Sequence, residues 1–121
     1  MKVGCCAYSY RDVIAKENKD LEWFMRECAN LGLDGTELTF YYMKDTTDAY
    51  IYSLKRLASS LGLHIYATGT RSNFCVADAG ERAAQVEDVK KWVEVSQKIG
   101  SPALRVFAGA LPEGAKMDDG M

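Results

Sequence analysis

The feature of this sequence that most constrains its fold is a junction that occurs three times. Each time, a stretch with helical periodicity ends in an apolar residue and a Gly, and a short apolar run follows. The junctions are Leu31-Gly32-Leu33-Asp34-Gly35, Leu61-Gly62-Leu63-His64-Ile65 and Ile99-Gly100-Ser101-Pro102-Ala103. Glycine readily takes the positive φ that closes a last helical turn. The glycines are 30 and then 38 residues apart, the length of a helix, a strand and their loops, so the repeat predicts β/α units wound in one direction.

Periodicity places three helices and four strands around these junctions. The helices are expected from about Lys19 to Leu31, from Asp48 to Leu61, and from Asp78-Ala79-Gly80-Glu81 to Ile99. Polar caps are expected at the starts of the second and third. The buried face of the third helix is expected to be Val86, Val89, Val93, Ser96 and Ile99. The strands are expected at Lys2 to Ala7, Gly35 to Thr39, Ile65 to Thr68 and Ala103 to Ala108. All are short and apolar, as in a buried parallel sheet, so the predicted order is β-α-β-α-β-α-β.

Charge and cysteine spacing exclude several function classes. Fifteen basic and 17 acidic side chains give a net charge of -2, without the basic excess typical of nucleic-acid binders. No apolar run approaches the roughly 18 residues that a membrane span needs, so no membrane association is expected. The cysteines form no C-x-x-C pair and there is a single histidine, His64, which predicts no zinc site. We therefore expect reduced thiols in a cytoplasmic protein.

Polar and aromatic side chains follow all four predicted strands. In parallel α/β folds the chemistry lies at the carboxyl ends of the strands. Those ends read Tyr8-Ser9-Tyr10-Arg11, Thr36-Glu37-Leu38-Thr39-Phe40-Tyr41-Tyr42, Ala67-Thr68-Gly69-Thr70-Arg71-Ser72-Asn73-Phe74 and Leu104-Arg105-Val106-Phe107-Ala108-Gly109. No glycine-rich phosphate loop and no nucleophile elbow occurs. The sequence therefore points to a site at this rim without assigning a catalytic residue.

Glu37 and Arg105 are the strongest pair of candidate site residues. Alternation leaves Arg105 and Phe107 on the face of the fourth strand away from the helices, and it leaves Gly35 and Glu37 there on the second. In a barrel, the second and fourth strands contribute to common interior layers, so these two charges are expected near each other. Because a buried charge is costly unless it is paired, they form a structural ion pair, a clamp for a polyhydroxylated substrate, or both.

Aromatic residues and one arginine complete the candidate site. Tyr10 and Phe74 are aromatic groups suited to stacking on a sugar. Tyr41 and Tyr42 are more typical of loop packing over the rim. Arg71 either binds an anionic group or is a solvated loop arginine.

The same stretches resemble a known family. The segments that carry the resemblance are Val3-Gly4-Cys5-Cys6-Ala7-Tyr8-Ser9-Tyr10, Gly32-Leu33-Asp34-Gly35-Thr36-Glu37-Leu38, Gly69-Thr70-Arg71-Ser72-Asn73-Phe74 and Gly100-Ser101-Pro102-Ala103-Leu104-Arg105-Val106-Phe107-Ala108-Gly109. In this order and spacing the chain resembles the N-terminal half of the xylose isomerase-like TIM barrel superfamily, the sugar phosphate isomerase/epimerase group. The resemblance implies an α/β fold of parallel β/α units forming half of a TIM barrel over residues 1–109. Residues 110–121 would be a tail or the truncated start of the next β/α unit.

The resemblance also implies a chemistry. Members abstract a proton beside a carbonyl of a sugar, sugar phosphate or cyclitol, with a divalent metal (Mn or Mg) polarising the oxygen. Their metal ligands come from later strands, so it implies no metal and no cofactor in this chain and a metal only in the complete barrel. Glu37, Arg71, Phe74 and Arg105 match family positions near the substrate pocket.

Two alternative functions remain open, and the open sheet predicts a partner. Four parallel strands leave two unpaired edges and an uncovered inner face, so we expect a homodimer or association with a second half-barrel. One alternative is a non-catalytic binding or scaffold module with a flavodoxin-like open sheet. The other is a relative of the DNA-repair endonucleases that share this barrel, against which stand the acidic balance and the lack of histidines at the ends of the third and fourth strands.

Overall fold

The computed structural model describes residues 1–115, so residues 116–121 of the predicted tail lie outside the described part. The strands are β1 (Gly4–Cys6), β2 (Gly35–Thr39), β3 (His64–Gly69) and β4 (Leu104–Arg105). The helices are α1 (Arg11–Lys16), α2 (Leu21–Asn30), α3 (Asp48–Ser60) and α4 (Ala79–Ile99). Short 3₁₀ turns at Ala7–Tyr10 and Phe40–Tyr42 follow β1 and β2. Among the strands and α-helices, α1 is the one that the sequence pattern did not predict.

The strands form one parallel sheet in chain order, β1-β2-β3-β4. The junction glycines Gly32, Gly62 and Gly100 have φ of 71°, 69° and 86°, as the repeat predicted. A flavodoxin-like sheet has the order 2-1-3-4-5, because its first crossover reverses direction. The sequential order is that of a barrel wall, so the chain is an α/β fold of parallel β/α units, as in half of a TIM barrel.

The hydrophobic core lies on one face of the sheet. Leu38 of β2 is fully buried there against side chains of α2 and α3. The helix side chains buried in this core are Leu21, Phe24, Met25 and Cys28 of α2 and Ile51, Leu54 and Ala58 of α3. Complete burial of a Leu, Ile, Phe or Met side chain contributes about 1.5–3 kcal/mol, so α2 and α3 anchor the sheet.

The opposite face of the sheet is open among the described residues. Tyr66 of β3 lies on it and is 41% exposed. Its ring fills the space that a Cβ would need at Gly4 and, more loosely, at Gly35. This face corresponds to the interior of a closed barrel.

The predicted buried face of α4 is wrong at Val86 and Val93, and Val89 is only half-buried. Val86 is 41% exposed and Val93 53% exposed, whereas Ser96 and Ile99 are buried as predicted. Val95 joins the buried pair, because only the last turns of this 21-residue helix lie against α3 and the sheet. The amino-terminal turns extend beyond that contact.

The strands at the two edges are shorter than predicted. Instead of running from Ala103 to Ala108, β4 covers Leu104–Arg105, where it bonds to β3. Similarly, β1 covers Gly4–Cys6 rather than Lys2 to Ala7. Within residues 1–115, none of the helices combines the length and apolar character needed to cross a membrane.

Candidate functional site

Glu37 and Arg105 meet on the open face of the sheet. Arg105 comes from β4 and Glu37 from β2, with β3 between them. The Arg105 Nε and Nη2 groups donate to Glu37 Oε1 at 2.9 and 2.8 Å. The Glu37 side chain is 13% exposed and that of Arg105 33%. The structure thus brings together the two charges that alternation placed on one face.

Gly69 makes room for this ion pair. It lies on β3 directly opposite Arg105 in the parallel register. A Cβ at this position would lie 2.6 Å from Arg105 Nη2 and 3.0 Å from Glu37 Oε1. The pair can therefore cross β3 because residue 69 has no side chain. This role of Gly69 was not predictable from the sequence, since a glycine in a strand by itself indicates only a weaker strand.

The electrostatics of the pair keep Arg105 charged. Burial acts to lower the pKa of Arg105, but the hydrogen bond and the charge of Glu37 outweigh it, and the pKa is raised. The guanidinium Cζ also lies 4.6 Å from the centre of the Phe107 ring. Cys6 occupies the same face, opposite Glu37 in the register of β1 and β2. Sequence reasoning missed Cys6 at the site, although its position next to Cys5 already predicted opposite faces for the two thiols.

Three tyrosines and two arginines form a cluster beside the pair, at the carboxyl ends of the first three strands. We call Tyr8, Arg11, Tyr41, Tyr42 and Arg71 the tyrosine–arginine cluster. The ring of Tyr41 packs edge-on against those of Tyr8 and Tyr42, with centroids 6.4 and 4.7 Å apart. Burial and the neighbouring phenols raise the pKa of Tyr41 and of Tyr42. The contacts of Tyr41 and Tyr42 are those expected of loop packing over the rim. The guanidinium of Arg71 lies over the ring of Tyr41.

The remaining two candidate residues lie apart from each other. The backbone N–H of Phe74 donates to Ala108 O at 2.7 Å, which ties the loop after β3 to the segment after β4. Tyr10 packs against Trp23 and Phe24 of α2, with ring centroids 5.8 and 5.6 Å apart. Tyr10 therefore belongs to the packing on the helix side of the sheet and not to the face that carries the ion pair. The sequence could not show this because the 3₁₀ turn after β1 changes the direction of the chain.

The described residues do not fit a divalent metal ion. Across residues 1–115, no three His, Cys, Asp or Glu side chains are grouped closely enough to hold one. Glu37 Oε1 already accepts two hydrogen bonds from Arg105. The positive guanidinium there opposes a second cation.

Cavities open at both ends of the strands. One, of about 390 Å³, opens at the carboxyl ends between Tyr41, Arg71 and Trp92. A larger one, of about 640 Å³, lies at the amino ends and is lined by Lys2 and His64. The carboxyl ends carry the ion pair and the tyrosine–arginine cluster, and parallel sheets place their chemistry at that edge. The candidate site is therefore at the carboxyl ends, and His64 lies away from it, as the sequence analysis inferred.

The sequential parallel sheet, the helices on one face and the polar carboxyl rim define part of a (β/α)8 barrel. The family model described as xylose isomerase-like TIM barrel matches residues 25–120. The chain belongs to this family. A search of curated proteins finds no match.

Solved structures show the same fold. The chain is 21% identical to D-psicose 3-epimerase crystallised in the presence of D-fructose, with a TM-score of 0.69 over 88% of this chain and 37% of that one. It is also 21% identical to the protein SMc04130 from Sinorhizobium meliloti 1021, with a TM-score of 0.70 over 97% of this chain and 40% of that one. The chain thus spans about two fifths of the length of each structure.

Proposed function

We propose that this chain supplies the amino-terminal half of the substrate site of a sugar isomerase or epimerase. Such an enzyme moves a proton next to the carbonyl of a sugar or cyclitol. The observation that carries the proposal is the Glu37–Arg105 pair, which crosses Gly69 at the carboxyl rim of the sheet. Family membership supports it, as does a structural neighbour that is a D-psicose 3-epimerase.

The pair offers both kinds of hydrogen-bonding group that a sugar hydroxyl needs. Both guanidinium bonds end on Glu37 Oε1, so Oε2 remains to accept from a ligand hydroxyl. Arg105 has five N–H donors, of which the pair uses two. Hydrogen bonds to charged groups are roughly twice as strong as neutral ones. We assign binding and orientation of the sugar to these two residues.

We assign the proton transfer itself to the later β/α units of the complete barrel. Mn or Mg in the complete barrel would polarise the substrate carbonyl, as in metal-assisted members of the family. The contribution of this chain is to hold the hydroxyl-bearing carbons and to shield them from water on one side.

We also propose a partner and a compartment. A second half-barrel, either another copy of this chain or further β/α units, covers the open face and pairs with the edge strands β1 and β4. The thiols Cys5, Cys6 and Cys28 form no disulfide in the described structure, which favours a reducing compartment such as the cytoplasm.

A titration with D-fructose tests the proposal. Nuclear magnetic resonance would follow the Nε–H signal of Arg105 in the wild type, in Glu37→Gln and in the matched control Glu87→Gln. Glu87 is a surface carboxylate that pairs with Lys90 at 2.7 Å. We expect D-fructose to shift the Arg105 signal and Glu37→Gln to weaken affinity about tenfold or more, since a hydrogen bond to a charged group contributes about 1.5–3 kcal/mol.

Two results would overturn the proposal. One is a wild-type chain whose Arg105 signal does not respond to D-fructose or D-psicose at any concentration up to saturation of the solution. The other is a Glu37→Gln variant that binds either ketose as tightly as the Glu87→Gln control.

A further inference from the structure

A cleft at the carboxyl rim lies between the loop after β3 and the first half of α4, and we call it the rim cleft. Its volume of about 390 Å³ falls in the range of small-ligand sites, roughly 300–1,000 Å³. The amino-terminal turns of α4, which extend beyond the contact of this helix with α3, form one wall. The lining includes two aromatic rings, two amides, one cation and one carboxylate, namely Tyr41, Trp92, Asn73, Gln85, Arg71 and Asp88.

Hydrogen bonds hold both walls of the rim cleft in place. Ser72 Oγ donates to Phe107 O at 2.7 Å and accepts from Phe107 N at 2.8 Å, which fixes the loop after β3 to the segment after β4. The wall formed by α4 is joined to the same loop, because Gln85 Oε1 accepts from Asn73 N at 3.1 Å. The cleft is therefore preformed, and a preformed site lowers the ordering cost of binding.

The two amides of the rim cleft keep their NH₂ groups available. The backbone N–H of Asn73 donates to Gln85 Oε1, and that of Cys75 donates to Asn73 Oδ1 at 3.2 Å. Because a backbone N–H can only donate, these bonds engage the oxygen of each amide and leave its NH₂ group as a donor. Within residues 1–115 both amide side chains bond through their oxygens alone. The cleft therefore offers two neutral donors to a ligand.

The rim cleft also carries one positive and one negative group that do not pair. The guanidinium Cζ of Arg71 lies 4.6 Å from the centre of the Tyr41 ring, and Asp88 Oδ2 accepts from Trp92 Nε1 at 3.1 Å. The ion pairs among residues 1–115 include neither Arg71 nor Asp88. Because the two charges offset each other, the cleft favours a neutral ligand over an anion or a cation. Asp88 Oδ1 remains as an acceptor for that ligand.

The aromatic rings supply the apolar part of the cleft. Trp92 stacks on Phe40 with ring centroids 4.8 Å apart and an angle of 23° between the planes, so one face of the indole is already covered. A sugar needs only one aromatic face for its C–H groups. Its hydroxyls each donate and accept, and so match the amide donors, the guanidinium and the carboxylate oxygen.

The rim cleft adjoins the site of the ion pair. The Glu37–Arg105 pair crosses Gly69, and the next residue, Thr70, lines the cleft. The backbone N–H of Thr70 donates to Arg105 O at 3.1 Å. A ligand that starts at the ion pair can therefore continue over the rim into the cleft.

We propose that the rim cleft binds a second sugar unit. The substrate is then a neutral disaccharide or glycoside, whose reacting sugar binds the Glu37–Arg105 pair and whose other unit binds the cleft. This inference rests on the proposed function for the reacting sugar, whereas the lining of the cleft lies on this chain.

Calorimetry with neutral sugars tests the cleft. The probes are D-fructose, methyl α-D-glucopyranoside and the disaccharides lactulose, turanose and isomaltulose, which attach a second sugar at three different positions of fructose. Each is titrated into the whole chain. We expect one or more of the disaccharides to bind about tenfold or more tightly than D-fructose, the factor that about 1.4 kcal/mol provides.

The fluorescence of Trp92 reports occupancy of the cleft directly. The chain has two tryptophans, and the other, Trp23, packs against Tyr10 beside α2. In the variant Trp23→Phe, Trp92 is the sole tryptophan. We expect the tightest disaccharide and methyl α-D-glucopyranoside to change its emission and D-fructose to leave it unchanged.

Variants assign the gain in affinity to the cleft. Gln85→Glu keeps an oxygen for Asn73 N but removes the NH₂ donor, and Asp88→Asn keeps an oxygen for Trp92 Nε1 but replaces the other acceptor. We expect each to lower the ratio of disaccharide to D-fructose affinity by about fivefold. Gln97→Glu, at an exposed position of the same helix, is the matched control and should keep the wild-type ratio. Circular dichroism verifies that each variant is folded.

The outcomes separate this inference from the proposed function. If D-fructose leaves the Arg105 signal unchanged while a glycoside still binds in a Gln85-dependent manner, the sugar site at the ion pair is wrong and the cleft stands. The cleft is overturned if no disaccharide binds more tightly than D-fructose, or if both cleft variants keep the wild-type ratio. An emission of Trp92 that responds to none of the glycosides also overturns it.

Discussion

At the scale of single residues, two buried threonines in neighbouring strands have opposite hydrogen-bonding environments. Thr36 Oγ1 is buried and has no hydrogen-bond partner within residues 1–115. Thr68 Oγ1 lies 2.8 Å from Ser96 Oγ and 3.2 Å from Ala103 O. An unmet buried hydroxyl costs roughly 1–3 kcal/mol, whereas a satisfied one contributes about 1 kcal/mol.

Valine has nearly the shape of threonine without the hydroxyl, so the two positions make a matched pair. We expect Thr36→Val to raise the free energy of unfolding by about 1 kcal/mol and Thr68→Val to lower it by about 1–3 kcal/mol. Urea denaturation at neutral pH measures both. A Thr36→Val protein that is less stable than the wild type would contradict the assignment of an unpaired hydroxyl.

Burial of the Cys28 thiol makes stability depend on pH in the alkaline range. Burial raises the pKa of Cys28 from 9.0 to about 12. The folded state therefore holds this proton more tightly, and the stabilisation is complete below pH 9 and is lost as pH rises toward 12. We expect the free energy of unfolding to fall in this range by up to about 1.4 kcal/mol per pH unit. The Cys28→Ala variant should have a lower free energy of unfolding, and this free energy should vary less with pH. An equal dependence on pH in both proteins would contradict the prediction.

At the scale of helices, the capping residues connect local sequence to stability. Asp20 caps α2 by accepting from Trp23 N at 2.7 Å, and it pairs with Lys44 at 2.7 Å. Loss of a cap costs about 0.5–2 kcal/mol. Asp20→Ala should therefore lower the free energy of unfolding by about that amount, while Asp12→Ala, at an exposed position of α1, should change it by less than about 0.5 kcal/mol.

The contribution of Asp20 should disappear in acid. Burial acts to raise the pKa of Asp20, but the Lys44 and Trp23 hydrogen bonds outweigh it, and the pKa lies below its usual 3.8. The stabilisation is present above pH 3.8 and is lost as the pH falls through the lowered pKa. The difference between wild type and Asp20→Ala, measured by urea denaturation, should shrink in that range, and a difference that persists at still lower pH would contradict the role of the carboxylate.

The helices also show which features of the fold the sequence pattern can predict. Apolar periodicity predicted α2, α3 and α4, and polar N-caps supported the prediction for α3 and α4. The six-residue helix α1 was missed, since its N-cap, Tyr10, makes no side-chain capping bond. The face of α4 was only partly predictable, because the pattern shows which side is apolar but not how much of a long helix meets a neighbour.

At the scale of the whole molecule, the parallel direction of the strands followed from the repeat, whereas their order in the sheet had a flavodoxin-like alternative that only the structure excludes. Glu37 and Arg105 were predictable because alternation alone puts them on one face of a parallel sheet. The roles of Gly69 and Arg11 were not predictable. Gly69 is required by an ion pair between residues of two other strands, and Arg11 joins the tyrosine–arginine cluster through a ring contact that follows a turn. Such contacts depend on distances between segments, which a single sequence does not contain.

The open face of the sheet predicts self-association or association with further strands. Light scattering at micromolar concentration should give a mass of two or more chains, because a closed ring needs the edges β1 and β4 to be paired. We expect Tyr66→Lys to reduce the mass, and Tyr52→Lys, on α3, to leave it unchanged, although both tyrosines are 41% exposed. A wild-type mass of one chain would contradict this prediction.

The most direct test of the site is a double-mutant cycle on ketose affinity with Glu37→Gln, Arg105→Gln and the double variant. If the two residues bind sugar as a unit, each single variant loses about tenfold or more in D-fructose affinity and the double variant loses little more than either one. A purely structural pair would show this coupling in the free energy of unfolding and none in D-fructose affinity, and that result would contradict the site described for this half-barrel.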